Sequence, residues 1–171
     1  MTVGEIYGII DRLAPFDTQA DFDNSGLLVG CAAQEVSCAL FALDLTQPVI
    51  DEAVSIGANL IVTHHPLMFT PVRSITDDDY EGRLIRRLVR EDISLIAAHT
   101  NLDQAAGGMN DVLAACCGLS DVSGESFFRC DVLKEPVPAR VFARNLEKQL
   151  TATVRLMGDP EKTVCKAGLC S

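Results

Sequence analysis

The sequence predicts an α/β fold, a mostly parallel sheet flanked by helices, followed by the start of a second α/β domain. Three observations carry this expectation. Across residues 36–118, strand-like and helix-like segments alternate, and that rhythm implies parallel strands joined by right-handed crossovers. The runs 60–63 and 93–98 are apolar without polar alternation, which implies burial on both faces. From about Gly124 the rhythm restarts. The expected domains are therefore 1–123 and 124–171; a length of 171 residues by itself suits one domain of ordinary size or one domain plus part of another.

Each element follows from local chemistry. Val3, Ile6, Tyr7, Ile10 and Leu13 recur at helical spacing. Thr2 precedes them and Glu5 stands three residues later, a reciprocal capping pair; Pro15 ends the helix. A polar loop, Asp21-Phe22-Asp23-Asn24-Ser25-Gly26, leads into the apolar run Leu27-Leu28-Val29. Residues 36–45 read as a strand. Thr46 and Pro48 open a helix through Ile56, and Gly57 sits where a C-cap glycine belongs. The strand 60–63 runs into His64-His65-Pro66. Asp77, Asp78 and Asp79 precede a helix over 80–91 and suit its positive end. The strand 93–98 runs into His99-Thr100-Asn101-Leu102-Asp103. Gly107-Gly108 breaks the chain, Asn110 caps a helix and Gly118 closes it. Beyond, 127–133 reads as a strand. Residues 138–150 read as a helix with Val141, Phe142, Leu146 and Leu150 on one face. Residues 153–157 and 163–170 read as strands. The sequence stops inside what reads as a strand entering a loop, so the second domain is expected to be truncated.

Composition narrows the function classes. Apolar residues make up 48% and charged residues 22%, enough to bury a core and unlike a disordered chain. A net charge of −10 gains nothing from the phosphate attraction that dominates nucleic-acid binding. It disfavours anionic membranes for the same reason, and it is compatible with a bound cation. No basic segment followed by an apolar run opens the chain, and no apolar stretch approaches a membrane span. A cytoplasmic location is expected. The seven cysteines are Cys31, Cys38, Cys116, Cys117, Cys130, Cys165 and Cys170, with no Cys-x-x-Cys spacing. They point to a reducing compartment, with Cys116 and Cys117 as small buried hydrophobes, rather than to disulfides or a thiolate metal site.

The three histidines occupy two short loops, each following a buried-looking strand. In open parallel sheets, ligands bind outside the carboxyl ends of the strands. Asp44, His64, His65, His99 and Asp103 all fall at such ends. Adjacent side chains on extended backbone point to opposite sides, so His64 and His65 suit two ions, one each, better than one ion jointly. Asp103 has two carboxylate oxygens and can bridge such a pair. Imidazole and carboxylate suit zinc, iron, manganese or nickel without choosing among them. His99 reads either as a fourth ligand or as an anchor that hydrogen-bonds another ligand or the substrate. Asp44 reads as a helix-entry or supporting residue rather than a ligand. The loop Asp23-Asn24-Ser25-Gly26 reads as a tight turn in preference to a pocket lining.

Three motifs occur in order: Asp23-Asn24-Ser25-Gly26-Leu27-Leu28-Val29-Gly30, Thr63-His64-His65-Pro66-Leu67-Met68-Phe69 and Ala98-His99-Thr100-Asn101-Leu102-Asp103. Together they resemble the GTP cyclohydrolase 1 type 2 homologue family, the NIF-three-like dinuclear metal proteins. The resemblance implies that His64 and His65 each bind one of two divalent metal ions and that Asp103 bridges them. It implies a two-domain α/β chain and, for a full-length protein, a homohexameric ring. It also implies a further His and Glu ligand pair in a C-terminal segment, and no histidine follows His99 here.

Function is expected to follow the metals. The leading expectation is a metal-dependent hydrolase acting on a nucleotide or other phosphorylated small molecule. No P-loop pattern is present. The alternative is a non-enzymatic metal-handling or regulatory ring acting through protein partners.

Overall fold

The computed structural model describes residues 1–119, 122–123 and 127–171. The chain divides into two compact units, Met1–Ala105 and Ala106–Ser171. The expected domain change at 123–124 abuts residues 124–126, outside the described residues.

In the first unit, helix α1 (Val3–Leu13) is opened by the expected reciprocal cap. The Glu5 amide donates to Thr2 Oγ1 and the Thr2 amide to Glu5 Oε2. Helix α2 (Gln47–Ile56) is capped by Thr46 and closed by Gly57 at φ 71, a left-handed conformation that favours glycine. Helix α3 (Tyr80–Arg90) is capped by Asp79, whose side chain accepts from the Gly82 amide. Between these helices lie four strands: β1 (Gly26–Val29), β2 (Ala39–Ala42), β3 (Leu60–Thr63) and β4 (Ser94–Ala97). The strand expected over 36–45 is therefore shorter.

The sheet order is β1-β4-β3-β2. β2, β3 and β4 are parallel, as expected, and β1 runs antiparallel along β4. Alternate residues of the central strands serve two cores. Leu60, Val62 and Ile96 pack with Val3 and Phe16, beside Ile6, Tyr7 and Ile10 of α1. Ile61 and Leu95 pack with Ile50 and Ala53 of α2 and with Leu84 and Leu88 of α3. Helices on both faces explain why these strands lack polar alternation.

Register positions the site. Ala42, Thr63 and Ala97 are aligned across the parallel strands, and Gly26 pairs with Ala97. The segments leaving β2, β3 and β4 therefore share one edge with the segment entering β1. Strand β4 is followed by a short helix α4 (Thr100–Gln104) that the sequence pattern did not indicate.

In the second unit, α5 (Met109–Cys116) precedes β5 (Arg129–Pro138), α6 (Ala139–Leu150) and β6 (Thr163–Leu169). β5 and β6 form an antiparallel two-stranded sheet. Buried Arg129 pairs with Asp111, and the Ser171 amide donates to Asn110 Oδ1 at 2.8 Å. The strand expected over 153–157 does not form. β-branched residues favour a strand only with neighbours to pack against, and Val154 donates its amide to the Glu147 side chain instead of to a ladder. Cys116 is exposed rather than buried, because the buried side of α5 is set by Asn110 and Ala114, and Cys116 lies off that stripe.

Candidate metal centre

The site forms where the strands end. His64 and His65 follow β3, and their amides donate to Ala42 O and Leu43 O. The chain has left extended conformation there, so the expected divergence of neighbouring side chains does not hold. The His64 and His65 rings lie side by side, with centroids 4.9 Å apart and planes tilted by 47°. His99 follows β4, and its ring stands 5.2 Å from His64 and 5.5 Å from His65. One ring nitrogen from each of the three lies within 4.8 Å of the others.

Each histidine is held from behind through Nδ1. His64 Nδ1 lies 2.9 Å from Ala98 O. A carbonyl only accepts, so this nitrogen carries the proton. His65 Nδ1 lies 2.7 Å from Asp44 Oδ1, and His99 Nδ1 lies 2.8 Å from Asp23 Oδ1. With Nδ1 donating, Nε2 of each neutral ring is left with a lone pair, the arrangement common to metal-binding histidines. Asp44 thus supports His65 from behind, one of the two roles expected for it.

Asp103, 5% exposed, comes from α4. Its Oδ1 lies 3.6 Å from His64 Nε2, too far for a hydrogen bond. Two donors at zinc-ligand distances on one tetrahedral ion stand about 3.4 Å apart, so this spacing suits two ligands of a common ion. The donor set therefore fits a divalent metal. His64 is largely covered, with 11% of its side chain exposed, whereas His65 is 46% exposed.

The reading of the Asp23–Gly26 loop as only a turn needs correction. The Asp23 side chain is fully buried and accepts five hydrogen bonds. Oδ1 receives the Asn24 amide at 2.7 Å and His99 Nδ1. Oδ2 receives the Ser25 hydroxyl at 2.9 Å, the Thr100 amide at 3.0 Å and the Thr100 hydroxyl. Burial alone would raise the Asp23 carboxyl; the bonds from His99, Thr100 and Asn24 outweigh it and hold the group at about 2. Asp23 is therefore an anion at neutral pH. Nothing local announced this role, because it depends on the antiparallel pairing of β1 with β4.

An open cavity of about 370 Å³ lies alongside. Phe22, Asp23, Asn24, Met68 and Phe69 contribute to its walls. The Phe69 ring stands 6.2 Å from that of His99, nearly perpendicular, and 6.2 Å from Phe22. Asn24 Nδ2 donates to Met68 O at 2.6 Å, tying the two walls together.

Fold and site together define an α/β protein with a histidine cluster able to hold a metal ion. The chain belongs to the family described as Duf34/NIF3 (NGG1p interacting factor 3), which it matches over residues 1–171. It is 41% identical over 114 residues to the GTP cyclohydrolase 1 type 2 homolog of Halalkalibacterium halodurans, covering 67% of this chain and 31% of that protein. Against the homolog of the same name from Streptomyces coelicolor, identity is 37% over 176 residues, covering 95% of this chain and 62% of that protein. The chain thus spans less than two thirds of these curated relatives. Among solved structures, Staphylococcus aureus hypothetical protein SA1388 matches with a TM-score of 0.92 and 27% identity, covering 99% of this chain and 71% of that one. Reduced HcgD from Methanocaldococcus jannaschii matches with a TM-score of 0.81 and 29% identity, covering 100% and 69%.

Proposed function

We propose that this chain is the metal-holding part of a metal-dependent hydrolase acting on a nucleotide or other phosphorylated small molecule. His64 and His65 would each hold one of two divalent ions, and Asp103 would bridge them. When bound, such ions supply charge that polarises a substrate oxygen and acidifies water. The chain's own residues orient the ligands. Ala98 O and Asp44 fix the His64 and His65 rings, and burial of Asp103 keeps solvent from its carboxylate. Phe22, Asn24 and Phe69 line a space of a size suited to a small ligand. The observation that carries this reading is the convergence of three imidazoles, each held through Nδ1, next to Asp103. The names of the curated relatives make a purine nucleotide the first substrate to try.

The test is metal analysis of the purified protein beside His65→Ala. The variant is expected to lose metal, and equal content in the two proteins would falsify the role of His65. Turnover of phosphoester and cyclic amidine substrates is expected to rise with metal occupancy. Inactivity across such a panel with metal bound would favour the metal-handling ring instead.

The cytoplasmic location and the ring of six belong to the same proposal. All seven cysteines are free, which supports a reducing compartment. No helix among the described residues is long and apolar enough to cross a membrane. Leu13, Phe41 and Leu43 are exposed apolar residues, and Phe41 lies on the edge strand β2. They support association between copies, which light scattering of the full-length protein measures.

A further inference from the structure

We propose that Asp23 is a positioning residue that fixes the tautomer of His99 and so makes His99 a third imidazole ligand of the metal centre. This rests on the metal reading above and extends it by a residue pair outside the His64, His65 and Asp103 set.

Asp23 is an acceptor on every side. Its two oxygens take five donors, and two of these are backbone amides that cannot reverse their polarity. An ionised carboxylate only accepts. His99 Nδ1 at 2.8 Å from Oδ1 must therefore carry the proton. In the neutral ring Nε2 is then unprotonated, and the ring lies within ligand distance of His64 and His65. The ring has little freedom to turn. The His99 amide donates to Ser25 Oγ at 3.2 Å, and the same hydroxyl donates to Asp23 Oδ2. Backbone and ring are thus held by one loop. This arrangement favours His99 as a ligand over its alternative as an anchor for another ligand, because its proton-bearing nitrogen is already committed to Asp23.

The chemistry predicts what an amide at this position does. In Asp23→Asn either orientation sets the new NH2 against one backbone amide. The side-chain oxygen is expected to stay with the Thr100 amide and the two hydroxyls, three donors, at the cost of the acceptor of the single Asn24 amide. The new NH2 then faces His99 and donates to Nδ1. The imidazole proton moves to Nε2, which removes the lone pair offered to a metal.

The experiment measures cobalt(II) and zinc(II) affinity against a competing chelator for the wild-type chain, Asp23→Asn, His99→Ala, the double variant and His64→Ala. Nitrogen NMR of the metal-free proteins reads the His99 tautomer. Asp23→Asn is expected to weaken binding ~10–100-fold, the usual effect of removing such support, and His99→Ala, which removes the ligand itself, at least as much. The double variant is expected to bind no more weakly than His99→Ala alone. The His99 proton is expected on Nδ1 in the wild type and on Nε2 in Asp23→Asn. Unchanged affinity in His99→Ala overturns the proposal, and this arm stands even if Asp23→Asn does not fold. Equal losses from Asp23→Asn with and without His99 also overturn it, because Asp23 would then act only through its loop. If His64→Ala loses metal while His99→Ala does not, this proposal fails and the broader reading stands. If neither variant changes metal binding, both fail.

Discussion

Every residue of β3 and β4 is buried, whereas every residue of β6 is partly or wholly exposed. The helices differ in the same way. α3 buries Leu84, Ile85 and Leu88, while α6 has no fully buried residue despite an apolar stripe of Val141, Phe142, Leu146 and Leu150. The first unit encloses its sheet between helices, and its histidines stand on that packed base. The second rests on an exposed ladder and on polar ties such as Arg129 with Asp111. Groups that must hold a fixed geometry benefit from a rigid base, and here they are found on the unit that supplies its own core.

The contrast can be broken most strongly in the core. Leu60→Ala is expected to cost about 2–5 kcal/mol, since Leu60 is fully buried. Val132→Ala on exposed β5 is expected to stay within about 0.5 kcal/mol. Denaturant unfolding of both variants measures the difference. Metal sharpens the contrast further. Zinc at about 100 times its dissociation constant is expected to add about 2.7 kcal/mol to unfolding. The gain is expected in amide protection of the first unit only, and a chelator or His65→Ala is expected to abolish it.

Acid is expected to act on both units, on the first through Asp23, whose carboxyl is held at about 2, and on the second through Asp111. The bond from Arg129, then that from the Gly107 amide, holds the Asp111 carboxyl below its ordinary value of 3.8. A lowered folded-state value contributes stability above the ordinary carboxylate range and loses it as pH falls through the folded value. Asp111→Asn is expected to cost roughly 1–2 kcal/mol near neutrality, allowing for the partial exposure of Asp111. Thermal unfolding between about pH 5 and pH 2 is expected to show less acid loss in the variant. A further modest effect concerns an end of the first unit. Thr2→Ala is expected to cost about 1 kcal/mol by removing the α1 cap, measured by thermal unfolding. A larger loss there would show that α1 depends on its cap as much as on its buried face.

What was legible in the sequence was local. Thr2 with Glu5, Thr46 with Gly57, and Asp79 mark helix ends through bonds within a few residues, and all three helices lie where these signals put them. The apolar runs gave the parallel trio because burial on both faces leaves a direct trace in composition. The strand-end rule then gathered His64, His65, His99 and Asp103 into one region. The orientation of β1 left no such trace, since a four-residue apolar strand reads the same in either direction. With that orientation went the role of Asp23. Residues 153–157 show the converse: their β-branched residues signal a strand, and the partner that would make them one is not encoded nearby. Helix α4 is only five residues long and too short to show a period.

The antiparallel β1 also sets an order of events. Gly26–Val29 finds its ladder partner only in β4, which begins at Ser94. As the chain is made from its amino end, the first strand to emerge waits through the synthesis of β2, β3 and two helices before anything can pair with it. The bond between Asp23 and His99 spans 76 residues, whereas that between His64 and Ala98 spans 34. The first strand made therefore cannot join the sheet before β4, the last of its strands, has been made, and the orientation of His99 reports that these two strands have met.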